Sequence, residues 1–295
     1  MSTPSKYIKG YCLVTGASHG IGKAISYEWA SRGVSIVAVA IDSRALKELK
    51  EDIESTYKVS CLTLPKDLLD INAPQQILDW CVENNIDVQV LINNVGLGST
   101  GSFEDTTLDF DISLVKLNVF PMIQLTKLFL PVLKKFEKSF VLNMSSLGSL
   151  RPIPYKALYS ASKAFIYSFS RAISSELKED SVHVSVSCPA GVYTNEEAVK
   201  RIKVSGKIAK WTSLSANIVA KYIVNGMRIR SMGAGSPARP HLSQRCFSQR
   251  LFAFVVCTRC ASYGTTFLTT LPPDGAAAAP PADVAGTSTT SSART

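Results

Sequence analysis

The sequence predicts an α/β domain in which one doubly wound parallel sheet carries helices on both faces. Short runs that are apolar throughout, such as Ser35–Ile41, alternate with longer segments whose apolar residues recur at helical spacing, such as Arg44–Tyr57. Uninterrupted apolar strands are typical of parallel sheets that are buried on both faces. The chain has 295 residues, of which 46% are hydrophobic and 19% charged, which excludes a disordered chain and allows one large core.

The predicted elements alternate between strand and helix as far as residue 188. Pro74 suits the first turn of a helix, and Pro121 predicts a bend within one. In chain order the elements are a strand at Tyr11–Thr15, a helix at Ile21–Arg32, a strand at Ser35–Ile41, a helix at Arg44–Tyr57, a strand at Val59–Leu64, a helix from Pro74 to about Glu83, a strand at Val88–Asn93, a helix from about Phe110 to Lys135, a strand at Ser139–Met144, a helix at Ala157–Lys178 and a strand at Val182–Cys188.

The C-terminal part of the chain is atypical in composition. Residues 1–227 hold 20 Lys, 5 Arg and 21 acids, for a net charge of +4, whereas residues 228–295 hold 7 Arg, no Lys and 2 acids, for +5. We therefore predict one folded domain over 1–227 and a basic tail over 228–295 that is partly disordered, with low complexity from about Pro272. A frameshift, a fusion or a cloning remnant would each explain the switch from Lys to Arg. The tail arginines are not interleaved with aromatic residues, so we predict no nucleic-acid partner.

The segments between the sixth predicted strand and the tail are harder to assign. Asn195–Lys210 is predicted to form helices, and Ser213–Met227 a further helix. Leu251–Cys257 is the only candidate for a last strand. If that segment does not pair, one edge of the sheet is left uncovered.

The chain shows no signal for export or for membrane insertion. The first eight residues have no apolar core of the kind that signal peptides carry, and no uncharged apolar run approaches the ~18 residues of a membrane helix. Seven cysteines without a pairing rhythm are therefore expected to be reduced thiols. These observations predict a cytoplasmic protein without a membrane span.

A glycine-rich segment joins the first strand to the first helix. Thr15–Gly22 reads Thr-Gly-Ala-Ser-His-Gly-Ile-Gly. Glycines at this junction let the backbone approach a ligand, and the free N–H groups of the following helix attract a pyrophosphate. The alternative is a tight turn that binds nothing.

A second group of polar residues lies further along the chain. Tyr159 and Lys163 are four residues apart in a predicted helix and so share one face. Ser145 and Ser146 end the preceding strand, and Asn118 lies in an earlier helix. Taken alone, the Tyr–Lys pair would be read as a surface pair, but the glycine segment favours a catalytic site.

Together these motifs resemble one known family. Thr15–Gly22, Asn93–Gly96, Ser146, Tyr159–Lys163 and Pro189–Thr194 occur in the order typical of short-chain dehydrogenases/reductases, and the resemblance covers residues 8–227. It includes features of the hydroxysteroid dehydrogenase and 3-oxoacyl reductase branch. The resemblance implies a Rossmann-type sheet, a nicotinamide cofactor and interconversion of an alcohol and a carbonyl. It also implies a homodimer or homotetramer, with the helices around Asn118 and Tyr159 at the interface.

The chemistry of this family fits the side chains. Tyr159 can exchange a proton with the substrate oxygen, and a nearby Lys163 ammonium stabilises the phenolate, because a free phenol has a pKa of about 10. The resemblance makes Ser146, rather than Ser145, the residue that hydrogen-bonds the substrate oxygen. By the same resemblance Lys163 also holds the nicotinamide ribose, and Asn118 anchors a water in a proton relay.

The resemblance also implies a set of cofactor contacts. Asp67 contacts the adenine, and Thr194 holds the carboxamide. The complete set is Gly16, Ser18, His19, Gly20, Ile21, Gly22, Ile41, Asp42, Asp67, Leu68, Asn94, Val95, Gly96, Tyr159, Lys163, Pro189, Val192 and Thr194.

The choice between NADP(H) and NAD(H) depends on the end of the second strand. A carboxylate there favours NAD(H), whereas a basic residue favours the 2′-phosphate of NADP(H). Ala40 and Ile41 are uncharged, and His19 in the glycine segment can meet a phosphate. We therefore expect NADP(H). Asp42 and the nearby Arg44 keep NAD(H) open as the alternative.

The remaining features bear on the substrate and on metals. The resemblance implies that Asn195–Lys210 forms a lid over the substrate pocket, and the apolar residues around it favour a lipid-like, steroid-like or acyl ketone or alcohol as substrate. His241, Cys246, Cys257 and Cys260 fit no zinc spacing, so we predict no metal site. The alternative function is a cofactor-binding protein with little or no catalysis, because its C-terminal segment is aberrant.

Overall fold

Strands and helices alternate along the chain in the predicted order. The computed structural model describes residues 8–193, 214–229 and 253–257. The elements are β1 (Tyr11–Thr15), α1 (Gly20–Ala30), β2 (Ile36–Ala40), α2 (Ser43–Tyr57), β3 (Cys61–Pro65), α3 (Ala73–Glu83), β4 (Val88–Asn93), α4 (Leu108–Leu133), β5 (Ser139–Met144), α5 (Ala157–Glu176), β6 (Val182–Pro189), β7 (Val192–Tyr193), β8 (Leu214–Ser215), α6 (Ala216–Ile229) and β9 (Ala253–Cys257), with short 3₁₀ turns at Phe103–Asp105 and Leu147–Ser149.

Strands β1 to β6 form a parallel sheet in the order β3-β2-β1-β4-β5-β6. Strand β9 extends this sheet by pairing antiparallel with β6, within the segment that the sequence offers as a last strand. The strand order reverses between β1 and β4, so the loops that follow these two strands lead to opposite faces of the sheet. In open α/β sheets the crevice at such a reversal, at the carboxyl ends of the strands, is where ligands bind.

Helices on both faces explain why the strands are apolar throughout. In β1, Cys12 and Val14 pack into a core with α1, α2 and α6, whereas Leu13 packs into a second core with α3 and α4. In β2, Ala38 and Val39 divide between the two cores in the same way. This is the predicted doubly wound α/β arrangement, of the Rossmann type.

The structure adds one small element that the sequence did not predict. Strands β7 and β8 are two residues each, and Val192 pairs with Leu214. Helix α6 therefore begins at Ala216 rather than at Ser213. The predicted lid helices at 195–210 and most of the predicted tail lie outside the described residues.

Helix α4 passes a simple test for a membrane span. By length and composition it is the one such helix among the described residues, and 44% of its most apolar window is buried inside the domain. Leu114, Leu125 and Phe129 on this helix are fully buried. Core helices of soluble domains pass the same test, so this is weak support for a membrane span.

Candidate active site

The glycine segment forms a close-packed turn between β1 and α1. Gly16 has a φ of +64°, a left-handed conformation that favours glycine. A Cβ on Gly22 would lie 2.2 Å from the Gly16 carbonyl oxygen, so no side chain fits there. His19 precedes α1 without capping it through its side chain. The first amide groups of α1 are therefore left without a side-chain cap, as an anion-binding helix end requires.

The loops after β1 and β4 are tied together beside this turn. The Thr15 hydroxyl donates to the Ile92 carbonyl (3.2 Å) and accepts from the amides of Asn94 (2.9 Å) and Val95 (3.1 Å). The Asn94 side chain donates back to the Thr15 carbonyl at 3.0 Å. These bonds fix the loops after β1 and β4 relative to each other at the base of the crevice between the two strands.

Asn118 holds the next part of the same loop. Its Oδ1 accepts from the Leu97 amide (2.7 Å), and its Nδ2 donates to the Leu97 carbonyl (3.0 Å) and to Ser162 Oγ (2.9 Å). A Cβ on Gly96 would lie 3.0 Å from Asn118 Oδ1 and 3.1 Å from Lys163 Nζ. The glycine thus lets the loop after β4 lie directly against both side chains.

Lys163 is buried at the centre of this group. Its Nζ donates to the Met144 carbonyl at 3.0 Å and lies 5.9 Å from the centre of the Tyr159 ring. Burial lowers the pKa of Lys163 to about 8, and the nearby Cys188 thiol opposes that shift. The sequence-predicted pair therefore lies on one side of α5, at the carboxyl end of β5.

The two serines after β5 have different environments. Ser145 is buried, and its hydroxyl donates to the Lys163 carbonyl at 2.8 Å. Ser146 is half-buried, and its Oγ accepts from the Gly148 amide at 3.1 Å as the cap of the 3₁₀ turn. Only Ser146 of the pair is partly open to a ligand.

A second lysine that sequence reasoning missed also approaches Tyr159. Lys156 Nζ lies 5.9 Å from the centre of the Tyr159 ring, as Lys163 Nζ does. Lys156 precedes both the predicted and the observed helix, so helical spacing gave no signal for this contact.

The residues predicted for the adenosine end follow β2 and β3. Ile41 is exposed directly after β2. The Asp42 carboxylate accepts from the Ala45 amide at 3.0 Å and so caps α2. Asp67 accepts from the Leu69 amide at 2.9 Å in a turn after β3.

Other predicted contacts are positioned mainly through their backbone. Leu68 packs into the core with α3, and Pro189 and Val192 are buried at the end of β6 and in β7. His19 Nδ1 and Ser18 Oγ are hydrogen-bonded at 3.0 Å, both beside the glycine turn. Thr194 lies outside the described residues.

The described residues hold no group of three His, Cys, Asp or Glu side chains that could bind a metal ion. His241, Cys246 and Cys260, for which the sequence predicts no metal site, lie outside those residues.

Comparison with known proteins identifies relatives of the whole domain. A family profile described as short chain dehydrogenase matches residues 11–204. Very-long-chain 3-oxoacyl-CoA reductase-B of Danio rerio is 32% identical over 195 residues, which are 65% of this chain and 62% of that protein. 17-beta-hydroxysteroid dehydrogenase type 3 of Mus musculus is 32% identical over 199 residues, which are 65% of this chain and 64% of that protein. The chain therefore spans less than two thirds of the length of these curated relatives.

Solved structures share the fold. L-sorbose reductase from Gluconobacter frateurii, complexed with NADPH and L-sorbose, superposes with a TM-score of 0.67 at 21% identity, covering 75% of this chain and 90% of that one. The bulky-bulky ketone specific alcohol dehydrogenase from Comamonas testosteroni gives a TM-score of 0.66 at 22% identity, covering 82% and 92%.

Proposed function

The chain belongs to the short-chain dehydrogenase family, and from this premise we propose that it interconverts a secondary alcohol and a ketone on an apolar substrate with NADP(H). The observation that carries the proposal is the buried Lys163 beside the Tyr159 ring, at the same edge of the sheet as the glycine turn. An enclosed ammonium next to a half-exposed phenol is the arrangement that proton transfer requires.

The residues at this edge fit a dinucleotide. Gly16 and Gly22 let the turn pack closely on its own backbone and against Asn94, and the start of α1 offers uncapped amides to a pyrophosphate. Gly96 similarly lets the loop after β4 pack directly against Asn118 and Lys163. A bound nicotinamide dinucleotide would supply or accept the hydride.

The side chains of this protein would handle the proton and the charge. Tyr159 gives its phenolic proton to a carbonyl oxygen during reduction, or removes one from an alcohol during oxidation. The Lys163 ammonium stabilises the phenolate that remains. Ser146 Oγ already accepts from the Gly148 amide, which leaves its own hydrogen to donate to the substrate oxygen. Both donors thus favour the form of the substrate in which oxygen carries negative charge.

Capping of α2 by Asp42 supports NADP(H) over NAD(H). A carboxylate that accepts the Ala45 amide is held at the helix rather than turned toward a ribose hydroxyl. Ile41 adds no charge before it, and the start of α2 favours an anion. We expect the KM for NADPH to be lower than that for NADH, and the reverse order would contradict this assignment.

An apolar substrate is supported by the surroundings of Ser146. Leu150, Ile153 and Tyr155 are exposed in the segment between β5 and α5. The curated relatives are named for 3-oxoacyl-CoA and hydroxysteroid substrates. We therefore propose that the substrate is a ketone on a long acyl chain or a steroid ring. Sugar ketones are expected not to be reduced.

The decisive experiment follows NADPH absorbance with 3-oxoacyl thioesters, ketosteroids and sugar ketones. Tyr159→Phe should reduce turnover by about 10²-fold or more, because it removes the proton donor, and should leave NADPH affinity nearly unchanged. Tyr155→Phe is the matched control, because Tyr155 is exposed in the adjacent segment. A fully active Tyr159→Phe variant would contradict the mechanism, and binding without any turnover would contradict the function.

The assembly of the protein and its location in the cell are two further proposals. We propose a homodimer or homotetramer formed through α4 and α5, where Phe120 and Phe165 are exposed on neighbouring helices. We also propose a cytoplasmic location, which microscopy of the tagged chain would test.

A further inference from the structure

Two ammonium groups approach the ring of Tyr159, one from within α5 and one from the N-cap residue that precedes it. Lys156 and Lys163 Nζ each lie 5.9 Å from the ring centre, within the range of a cation–π contact. Lys163 is buried, whereas Lys156 is half-buried at the start of α5. The family motif that the sequence carries, Tyr159–Lys163, includes Lys163 but not Lys156.

Lys156 occupies a position that disfavours a cation. It is the N-cap residue of α5, and its side chain makes no capping hydrogen bond. Ser, Thr, Asp and Asn are preferred there, because their oxygens accept the free amides of the first turn. The positive end of the helix dipole also repels an ammonium. A residue that breaks local preference beside a reactive side chain is expected where function requires it.

We propose that Lys156 is a positioning residue for proton transfer, whose ammonium lies against the Tyr159 ring and stabilises its phenolate. The inference rests on the proposed role of Tyr159 as the proton donor and acceptor. Its physical basis is that a cation near the ring interacts more strongly with the anionic phenolate than with the neutral phenol.

The second cation matters because of how Lys163 titrates. Since burial lowers the pKa of Lys163 to about 8, this side chain loses its charge in mildly alkaline solution. The partly solvated Lys156 ammonium does not bear the same burial cost. The other elements around this site present Cys188 from β6, which acts on Lys163, and the uncharged side chains of Asn118 and Ser146. Lys156 is thus a second cation beside the ring, and the less enclosed of the two.

A spectroscopic titration tests the proposal without any substrate. The absorbance of tyrosinate is recorded against pH for the full chain, and the Tyr159→Phe spectrum is subtracted to isolate Tyr159. Lys156→Met should move the ionisation midpoint of Tyr159 upward by roughly half a pH unit, and Lys156→Arg should restore it. Arg151→Met is the matched control, since Arg151 is an exposed cation in the preceding segment. A midpoint that does not move in Lys156→Met would overturn the proposal.

Turnover provides the second readout. In the direction of alcohol oxidation the rate should rise as Tyr159 deprotonates, so Lys156→Met should lower kcat/KM about threefold below the midpoint and leave the alkaline plateau unchanged. A lowered plateau with an unmoved midpoint would indicate a structural role and contradict the inference. If the wild type turns over no ketone or alcohol, the proposed function fails, while the titration still decides the role of Lys156.

Discussion

At the scale of single residues, the burial of Lys163 links stability to function. The side chain is enclosed between Gly96 and the Met144 carbonyl, and this enclosure lowers its pKa from 10.5 to about 8. Holding a charged amine there costs free energy in the folded state, which the hydrogen bond to the Met144 carbonyl offsets in part. The same enclosure keeps the ammonium close to the Tyr159 ring, where solvent would otherwise screen it.

This burial predicts how stability depends on pH. Below pH 8 the folded and unfolded chains both hold the Lys163 proton, so the folded state bears the full cost of burying the charge. Between pH 8 and 10.5 the folded state gives up the proton first, so stability should rise by about 3 kcal/mol from this group alone.

Lys163→Met isolates this contribution, because the other titrating groups are present in both proteins. The free energy of unfolding, measured in urea from pH 7 to 10.5, should improve for the wild type relative to the variant as the pH rises. A constant difference across that range would show that Lys163 is not desolvated in the folded protein.

At the scale of elements, the sequence predicted the strands and helices that carry a local apolar pattern and missed the elements without one. Strands β1, β4 and β5 begin and end at the predicted residues, because their apolar runs are bounded by polar or turn-forming residues. Strands β7 and β8 are too short to carry a periodic signal. Helix α5 ends two residues before the predicted Lys178, within the range over which helix ends fray.

The contacts in the candidate site also differ in how far they could be predicted from local sequence. The spacing of Tyr159 and Lys163 predicted their shared face, since both lie on one helix. The Asn118 contacts with Leu97 could not be predicted, because they join residues 21 positions apart through the packing of α4 against the loop after β4. The capping role of Asp42 was open to prediction, because an Asp before a helical segment is a common N-cap.

The turn between β1 and α1 gives a prediction at this scale. Gly22→Ala places a methyl group 2.2 Å from the Gly16 carbonyl, so the turn must move away from Asn94. We expect a loss of at least 1–3 kcal/mol in unfolding free energy and a marked loss of NADPH affinity by fluorescence titration. Glu51→Ala, at an exposed position of α2, is the comparison. Equal effects of the two substitutions would argue against a close-packed turn.

The start of α5 gives a second prediction at the scale of elements. Lys156→Asp exchanges a cation for an anion at the N-terminus of a helix, which should raise the free energy of unfolding by about 0.5 kcal/mol. The same change should lower turnover, because it places a negative charge beside the Tyr159 ring. Thermal unfolding and steady-state kinetics on one sample measure both effects. A variant that is faster as well as more stable would contradict the proposed use of the lysine.

At the scale of the whole molecule, one interlocking polar network joins the sheet to the helices of the site. Asn93 on β4 donates to Thr126 on α4 and to Asn143 on β5, and Asn143 donates to Ser170 on α5. The bonds are buried, so they fix the positions of α4 and α5 relative to the sheet. The two helices that hold Asn118 and Tyr159 are therefore fixed against the sheet. Their outer faces take no part in these bonds.

Those outer faces carry the final prediction. Phe120 on α4 is 47% exposed and Phe165 on α5 is 43% exposed, and Phe165 stacks on Phe169 with ring centres 6.1 Å apart. Large apolar side chains exposed on adjacent helices are typical of a protein interface. The double variant Phe120→Asp/Phe165→Asp should therefore convert a dimer or tetramer to smaller species in light scattering, because it would bury unpaired charge. Phe103→Asp, at a 66% exposed residue in the 3₁₀ turn that precedes α4, should leave the assembly unchanged. A wild-type chain that is monomeric at micromolar concentration, or a double variant that keeps its mass, would rule out assembly through this face.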